Sequence, residues 1–189
     1  MVRLWPYFVT CNKQLNYPTN VKIENSTEAD ISEIFRLYKE ASAHQTRVNA
    51  TVVWPTFEKQ LVETEVAEKR QWKLLIDNQI ACVWAITFED EQIWEERNAD
   101  AAIYIHRIAT NPTFRGQNFV TTIVDWGKVY ARSLGKDYLR LDTIGENTGL
   151  IRHYTKSGFD YLGMFNMKNT EGLPGHYQSG HVALFEIKL

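Results

Sequence analysis

Residues 111–127 read NPTFRGQNFVTTIVDWG. A turn-prone Asn-Pro leads through Arg115 and Gly116 into an amphipathic run, with Phe119, Ile123, Val124, Tyr130 and Leu134 at helical spacing. Gly135 supplies a stop. The preceding segment, AAIYIHRIAT (101–110), has strand character, and so does DYLRLDT (137–143) beyond it. A strand, a loop, a helix and a second strand make one crossover unit, and that unit decides the fold. Helix starts carry unpaired N–H groups and about half a positive charge. Arg115 adds a forked cation, Gly116 lets backbone approach a ligand, and Asn118 tolerates left-handed angles. The stretch therefore reads either as an anion site or as an ordinary loop entering an ordinary helix. It is neither a P-loop nor a Gly-x-Gly-x-x-Gly dinucleotide loop.

Working outward, VKIEN (21–25) suits a strand, and a helix opens at Thr27-Glu28-Ala29-Asp30 with Ile31, Ile34, Phe35 and Tyr38 on one face. Residues 55–69 read as a second helix with Phe57, Leu61 and Val66 inward. WKLLI (72–76) and IACVWAITF (80–88) read as a hairpin. Residues 89–100, with six acids and one arginine, read as a solvated loop. Residues 147–157 form a short helix closed by Gly158, and 159–165 and 181–189 are final strands. The order β-α-α-β-β-β-α-β-α-β-β predicts an α/β (α+β) fold, a mixed sheet with helices on both faces. Residues 20–189 form one domain, and 1–19 are a tail or an extra strand.

The bulk properties exclude several function classes. The chain has 189 residues, 44% of them hydrophobic, enough for a sizeable core. Its net charge of −2 offers no electrostatic reason to bind nucleic acid or an anionic membrane. No apolar run approaches the ~18–20 residues that span a bilayer. The two cysteines, Cys11 and Cys82, show neither metal spacing nor a disulfide framework, and Cys82 reads as a buried thiol. A reducing, cytoplasmic setting fits. His44, His153, His176 and His181 show no metal-ligand pattern, so no metal is expected.

A second constellation, ENTGLIRHYTKSGF (146–159), places Asn147 at a helix start and Tyr154 two turns on along nearly the same face. Asn147 can cap or reach a ligand. The Tyr154 phenol, with an ordinary pKa of about 10, can protonate a leaving group near thiol acidity. It also reads as a core residue with a wet tip.

Together these residues resemble the GCN5-related N-acetyltransferase (GNAT) superfamily. The family's loop pattern, Gln/Arg-x-x-Gly-x-Gly/Ala, is approached by RIATNPTFRGQNFV (107–120), with Arg115, Pro112 and Gly116 in place. Asn118 and Val120 stand where the family has small residues. The later family element matches Asn147, Leu150, Tyr154, Gly158 and Phe159, and the resemblance spans residues 21–189. It implies a mixed, mostly antiparallel central sheet flanked by helices, and acetyl-CoA as cosubstrate. The CoA pyrophosphate would rest on Arg115, Gly116, Gln117, Asn118, Phe119 and Val120. The pantetheine arm would pair with strand backbone at Ile108, Ala109 and Thr110, as an added strand. Asn147 would help hold the arm, and Tyr154 would protonate the thiolate. Backbone donors are expected to preserve binding despite Asn118 and Val120.

The acceptor, a primary amine on a small molecule or peptide, would attack directly in a ternary complex. It needs a base. His106 on the strand before the loop is the candidate, with Glu89 as a weaker one, and alternation places His106 and Arg107 on opposite faces. Trp54, Trp84 and Trp94 are candidate pocket walls or core material, and the acidic stretch 89–100 reads either as an attractor for a cationic amine or as a solvated surface loop. The rival reading is a non-catalytic CoA-binding module. The strands of the C-terminal hairpin could pair two copies as a homodimer.

Overall fold

A computed structural model describes residues 20–48, 50 and 52–189. The readings of residues 1–19 and Cys11 lie outside the described residues. Among the described residues seven strands form one sheet in the order β1-β2-β3-β4-β5-β7-β6. They are β1 (Val21–Asn25), β2 (Gln71–Ile76), β3 (Gln79–Thr87), β4 (Ala102–Thr110), β5 (Tyr138–Ile144), β6 (Asp160–Asn166) and β7 (His181–Lys188). Every neighbouring pair is antiparallel except β4 and β5, which are parallel and joined by the expected crossover.

Helices cover both faces, because the strands are apolar on both. On one face α4 (Phe119–Ser133) and α5 (Thr148–Lys156) pack on Trp72, Trp84, Ile103, Ile105, Leu139 and Leu141. On the other, α1 (Ile31–Arg47) and α2 (Lys59–Ala67) close over Val83 and Ala109. Beside them a single helical turn, α3 (Glu91–Trp94), covers Ala102, Tyr104, Val182 and Leu184.

Three local expectations change. The acidic stretch is not a solvated loop: Ile93 and Trp94 are buried, so the run folds onto the sheet as α3 and a following 3-10 turn. The second helix starts at Lys59, and residues 52–58 have no regular secondary structure, with Phe57 buried ahead of the helix. On α4, Leu134 caps the helix end and is 45% exposed, while Trp126 takes the buried position. The β2–β3 hairpin turns through Asp77 and Asn78, both at positive φ (48° and 62°), as a two-residue turn requires.

The sheet's main irregularity positions the site. Val83 pairs with Ala109 but Ala85 with His106, so Trp84 alone faces two residues of β4. Such a bulge bends its strand. Arg107, inside it, has φ 51°. On the other side, β4 and β5 pair only from Ala102↔Tyr138 to Ile105↔Leu141. Beyond that point the strands part, although both continue, β4 to Thr110 and β5 to Ile144.

Candidate active site

The parting of β4 from β5 opens a cleft of about 450 Å³ through the middle of the sheet. Of the residues singled out from sequence, it gathers His106, Ile108, Ala109, Thr110, Arg115, Asn147 and Tyr154 as lining. It also gathers residues that sequence reasoning passed over: Asp142, Phe57, His176 and Tyr177.

At one end lies the loop into α4. Arg115 is exposed and lines the cleft. Gly116 sits at φ 84°, and a Cβ there would meet nothing within 4 Å, so backbone angle rather than space explains the glycine. Asn118 is the N-cap in left-handed geometry (φ 50°, ψ 51°). Its side-chain amide donates to Thr121 Oγ1 at 2.9 Å instead of capping the helix. The first-turn amides of α4 thus receive no cap from it, as anion binding requires. Gln117 is half-buried, and Phe119 and Val120 are 6% and 8% exposed. Val120 is therefore a core residue of the helix and offers only its backbone to the loop.

Along the wall, His106–Thr110 pair with β3 on one side and face the gap on the other. Asn147 caps α5, its Oδ1 accepting from Leu150 N–H at 3.0 Å. Its capping reading holds, at the cleft rim. Tyr154, from α5, packs its ring on Phe159 and Phe185 (centroids 6.1 and 5.3 Å) and also lines the cleft. Burial, with the Asp142 carboxylate and the Cys82 thiol nearby, pushes its phenol up to about 12. It stays protonated through neutral pH. Cys82 is fully buried, as expected, 3.7 Å from Thr110 Oγ1.

The far end contains the acid–base groups. The bulge adds a residue and breaks the strict alternation that would set Arg107 opposite His106, and Arg107 turns to α1 and α2. Arg107 pairs with Glu65 of α2, donates to Tyr38 Oη of α1 at 3.4 Å, and lies over the Phe57 ring. His106 sits between two carboxyl groups, Nε2 3.5 Å from Asp90 Oδ2 and Nδ1 3.8 Å from Asp142 Oδ1. Asp142 Oδ2 accepts from Tyr177 Oη at 2.9 Å. Asp90 Oδ2 is buried without a hydrogen-bond partner among the described residues. Desolvation and mutual repulsion raise the Asp90 carboxyl, and desolvation raises that of Asp142. Burial, then Arg107 and Arg70, lower the His106 imidazole to about 3, so it is neutral at neutral pH. The three side chains bring donor atoms within 4.8 Å of one another, a spacing that also suits a cation.

Other sequence candidates fall elsewhere. Glu89 is exposed and outside the cleft lining. Trp84 is sealed against Trp126, and Trp94 lies under Arg140. Only Trp54 of the three tryptophans lines the cleft. Asp90 escaped notice because it is the second residue of the acidic run, where a solvated face was the natural reading.

A strand pair parted beside a helix N-terminus leaves a backbone edge free next to a turn suited to an anion. A family model for the acetyltransferase (GNAT) family matches residues 31–159, well over half of the chain. The chain belongs to that family. An uncharacterized N-acetyltransferase of Bacillus subtilis (strain 168), YesJ, is 26% identical over 74 residues. That match spans 39% of this chain and 41% of YesJ. A GNAT acetyltransferase structure from Listeria monocytogenes superposes with TM-score 0.72 at 18% identity, covering 89% of this chain and 95% of its own. The yncA protein of Salmonella typhimurium, whose structure contains its cofactor acetyl-CoA, gives TM-score 0.64 at 12% identity, covering 90% and 95%. At such identities the structures establish the GNAT fold. No described helix is long and apolar enough to cross a membrane.

Proposed function

We propose that this chain moves an acetyl group from acetyl-CoA to a primary amine by direct attack in a ternary complex. The observation that carries the reading is the end of β4–β5 pairing at Ile105↔Leu141, which joins Arg115, Tyr154 and His106 in one cleft. Family membership and an acetyl-CoA-bound structural neighbour support the cosubstrate.

In this reading Arg115 and the first-turn amides around Gly116–Val120 hold the diphosphate, and the free backbone edge of Ile108, Ala109 and Thr110 takes the pantetheine arm as a partial strand. His106, neutral and a weak base in the empty cleft, accepts a proton from the ammonium directly or through a water once Asp142 and Asp90 ionise beside its ring and stabilise the imidazolium. The freed amine forms a bond to the thioester carbonyl carbon, and the carbon–sulfur bond breaks. Tyr154 gives its proton to the sulfur as the carbon–sulfur bond breaks, and the proton that the new amide nitrogen sheds restores the phenol. Apo hydrogen bonds are often long and tighten with substrate, so the 3.5 Å between His106 and Asp90 does not disqualify His106.

Titration calorimetry with acetyl-CoA, followed by thiol release over an amine panel, tests the reading. Binding with turnover is expected. Binding without thiol release would make the chain a CoA-binding module, and no binding would remove both readings.

A further inference from the structure

The end of the cleft away from Arg115 has its own chemistry. Its walls are Trp54, Phe57, His176 and Tyr177, and its floor is His106 and Asp142. The wall rings interlock, Trp54 on Phe57 at 5.7 Å, Phe57 on His176 at 6.0 Å and His176 on Tyr177 at 4.6 Å between centroids. Burial, aided by Arg107, lowers His176 to about 4, so both imidazoles at this end are neutral. The guanidinium here, Arg107, is already paired with Glu65 and laid over Phe57. Among the described lining residues there is no lysine, and the other arginine, Arg115, belongs to the opposite end.

The carboxyl groups have no cationic partner among the described residues, and their one side-chain hydrogen bond there is the 2.9 Å bond that Tyr177 Oη donates to Asp142 Oδ2. The Asp142 side chain is 2% exposed, and its Oδ1 stands 3.8 Å from His106 Nδ1, beyond hydrogen-bonding range. Behind His106, Asp90 Oδ2 has no hydrogen-bond partner among the described residues. Two buried acids, one of them with an orphaned oxygen, face a single neutral imidazole. A buried carboxyl with no cation beside it resists ionising, and a cationic ligand favours its charged form. Aromatic walls add attraction for a cation and shelter for an apolar body. A ligand carboxylate would meet like charge and no free guanidinium.

We infer that the acceptor is a compact amine that enters as a cation, on an aromatic or apolar body and with no carboxylate beside its nitrogen. Asp142 receives the ammonium, and Asp90, kept protonated by burial behind His106, can ionise once the cation is in place. The inference rests on the transferase reading of this cleft.

Matched pairs of probes test it: tyramine against tyrosine, and phenethylamine against phenylalanine. Each is titrated calorimetrically into the full chain loaded with CoA, and each is then assayed for thiol release from acetyl-CoA. Each amine is expected to bind more tightly than its amino acid and to show at least tenfold higher kcat/KM. Asp142→Asn is expected to raise the amine Kd and KM at least tenfold. Tyr177→Phe, which removes only the hydroxyl bonded to Asp142, is expected to raise them about threefold and serves if Asp142→Asn does not fold. Equal or better use of the amino acids, binding of neither class, turnover confined to peptide termini, or amine Kd unchanged in these variants would overturn the inference. Amine binding without thiol release would leave the acceptor class standing and remove the transferase reading instead.

Discussion

Arg140 and Asp142 lie two residues apart on β5, share a face and are both buried, yet their surroundings are opposite. Arg140 lies where β4 and β5 are still paired, opposite Tyr104. Its guanidinium donates to Glu186, Asp100 and the Arg97 carbonyl at 2.7, 2.5 and 2.6 Å, and it lies over Trp94 and Tyr138 at 4.7 and 4.6 Å. Asp142 lies one step past the end of pairing, with Tyr177 as its hydroxyl donor and an imidazole at 3.8 Å. Where the strands hold together, buried charge is fully satisfied and serves the fold. Where they part, it is left partly unsatisfied in a cleft, as functional sites tend to leave it.

The sharpest way to break this comparison is Arg140→Ala. It strands Asp100 and Glu186, and thermal and denaturant melts should show a loss of about 3–5 kcal/mol. A loss under about 1 kcal/mol would mean that the paired half does not depend on its charge network. Across the gap, Tyr154→Phe keeps the ring on Phe159 and Phe185 and removes only the proton. We expect kcat for thiol release to fall about a hundredfold or more, with acetyl-CoA affinity by calorimetry within twofold. Equal turnover would end the acid role. Arg115→Ala should weaken acetyl-CoA about tenfold and flatten the salt dependence of binding, since it removes one charge-assisted contact and leaves the backbone donors.

The smallest effect is one of pH. Asp90 and Asp142 are raised above the ordinary 3.8, so the folded chain keeps protons that the unfolded chain has released. The stability this contributes is complete below 3.8 and is lost as pH rises through the raised values. Asp90→Asn should therefore gain on the parent by about 1 kcal/mol between pH 4 and pH 8, read from melts across that range. The same substitution at a satisfied carboxylate such as Glu186, beside Arg140, should lose stability instead. Matching pH responses at the two sites would erase the contrast.

Much of the fold was legible because its signals are local. Thr27 at a helix start, Asp77-Asn78 between apolar runs, Gly135 and Gly158 after periodic segments and Asn147 as a cap each act within a few residues. The loop around Arg115 and the position of Tyr154 were legible for the same reason. His106 was visible as a residue type but not in its setting. Its partners come from β5 and from the start of an acidic run, and in that run Ile93 and Trp94 were the only sign of burial. Trp54, Trp84 and Trp94 looked alike in sequence, yet only the first reaches the cleft.

The order of elements, the helix-entry loop and the tyrosine helix follow from the sequence alone, since caps, turns and periodicity depend on neighbours along the chain. Tertiary structure decided where β4 leaves β5, that a bulge turns Arg107 to α1 and α2, and that Asp90 and Asp142 meet around the His106 imidazole. Those outcomes depend on strand register and on burial between distant segments. One extra residue in a strand redirects side chains, and a carboxylate's protonation is set by what surrounds it in space.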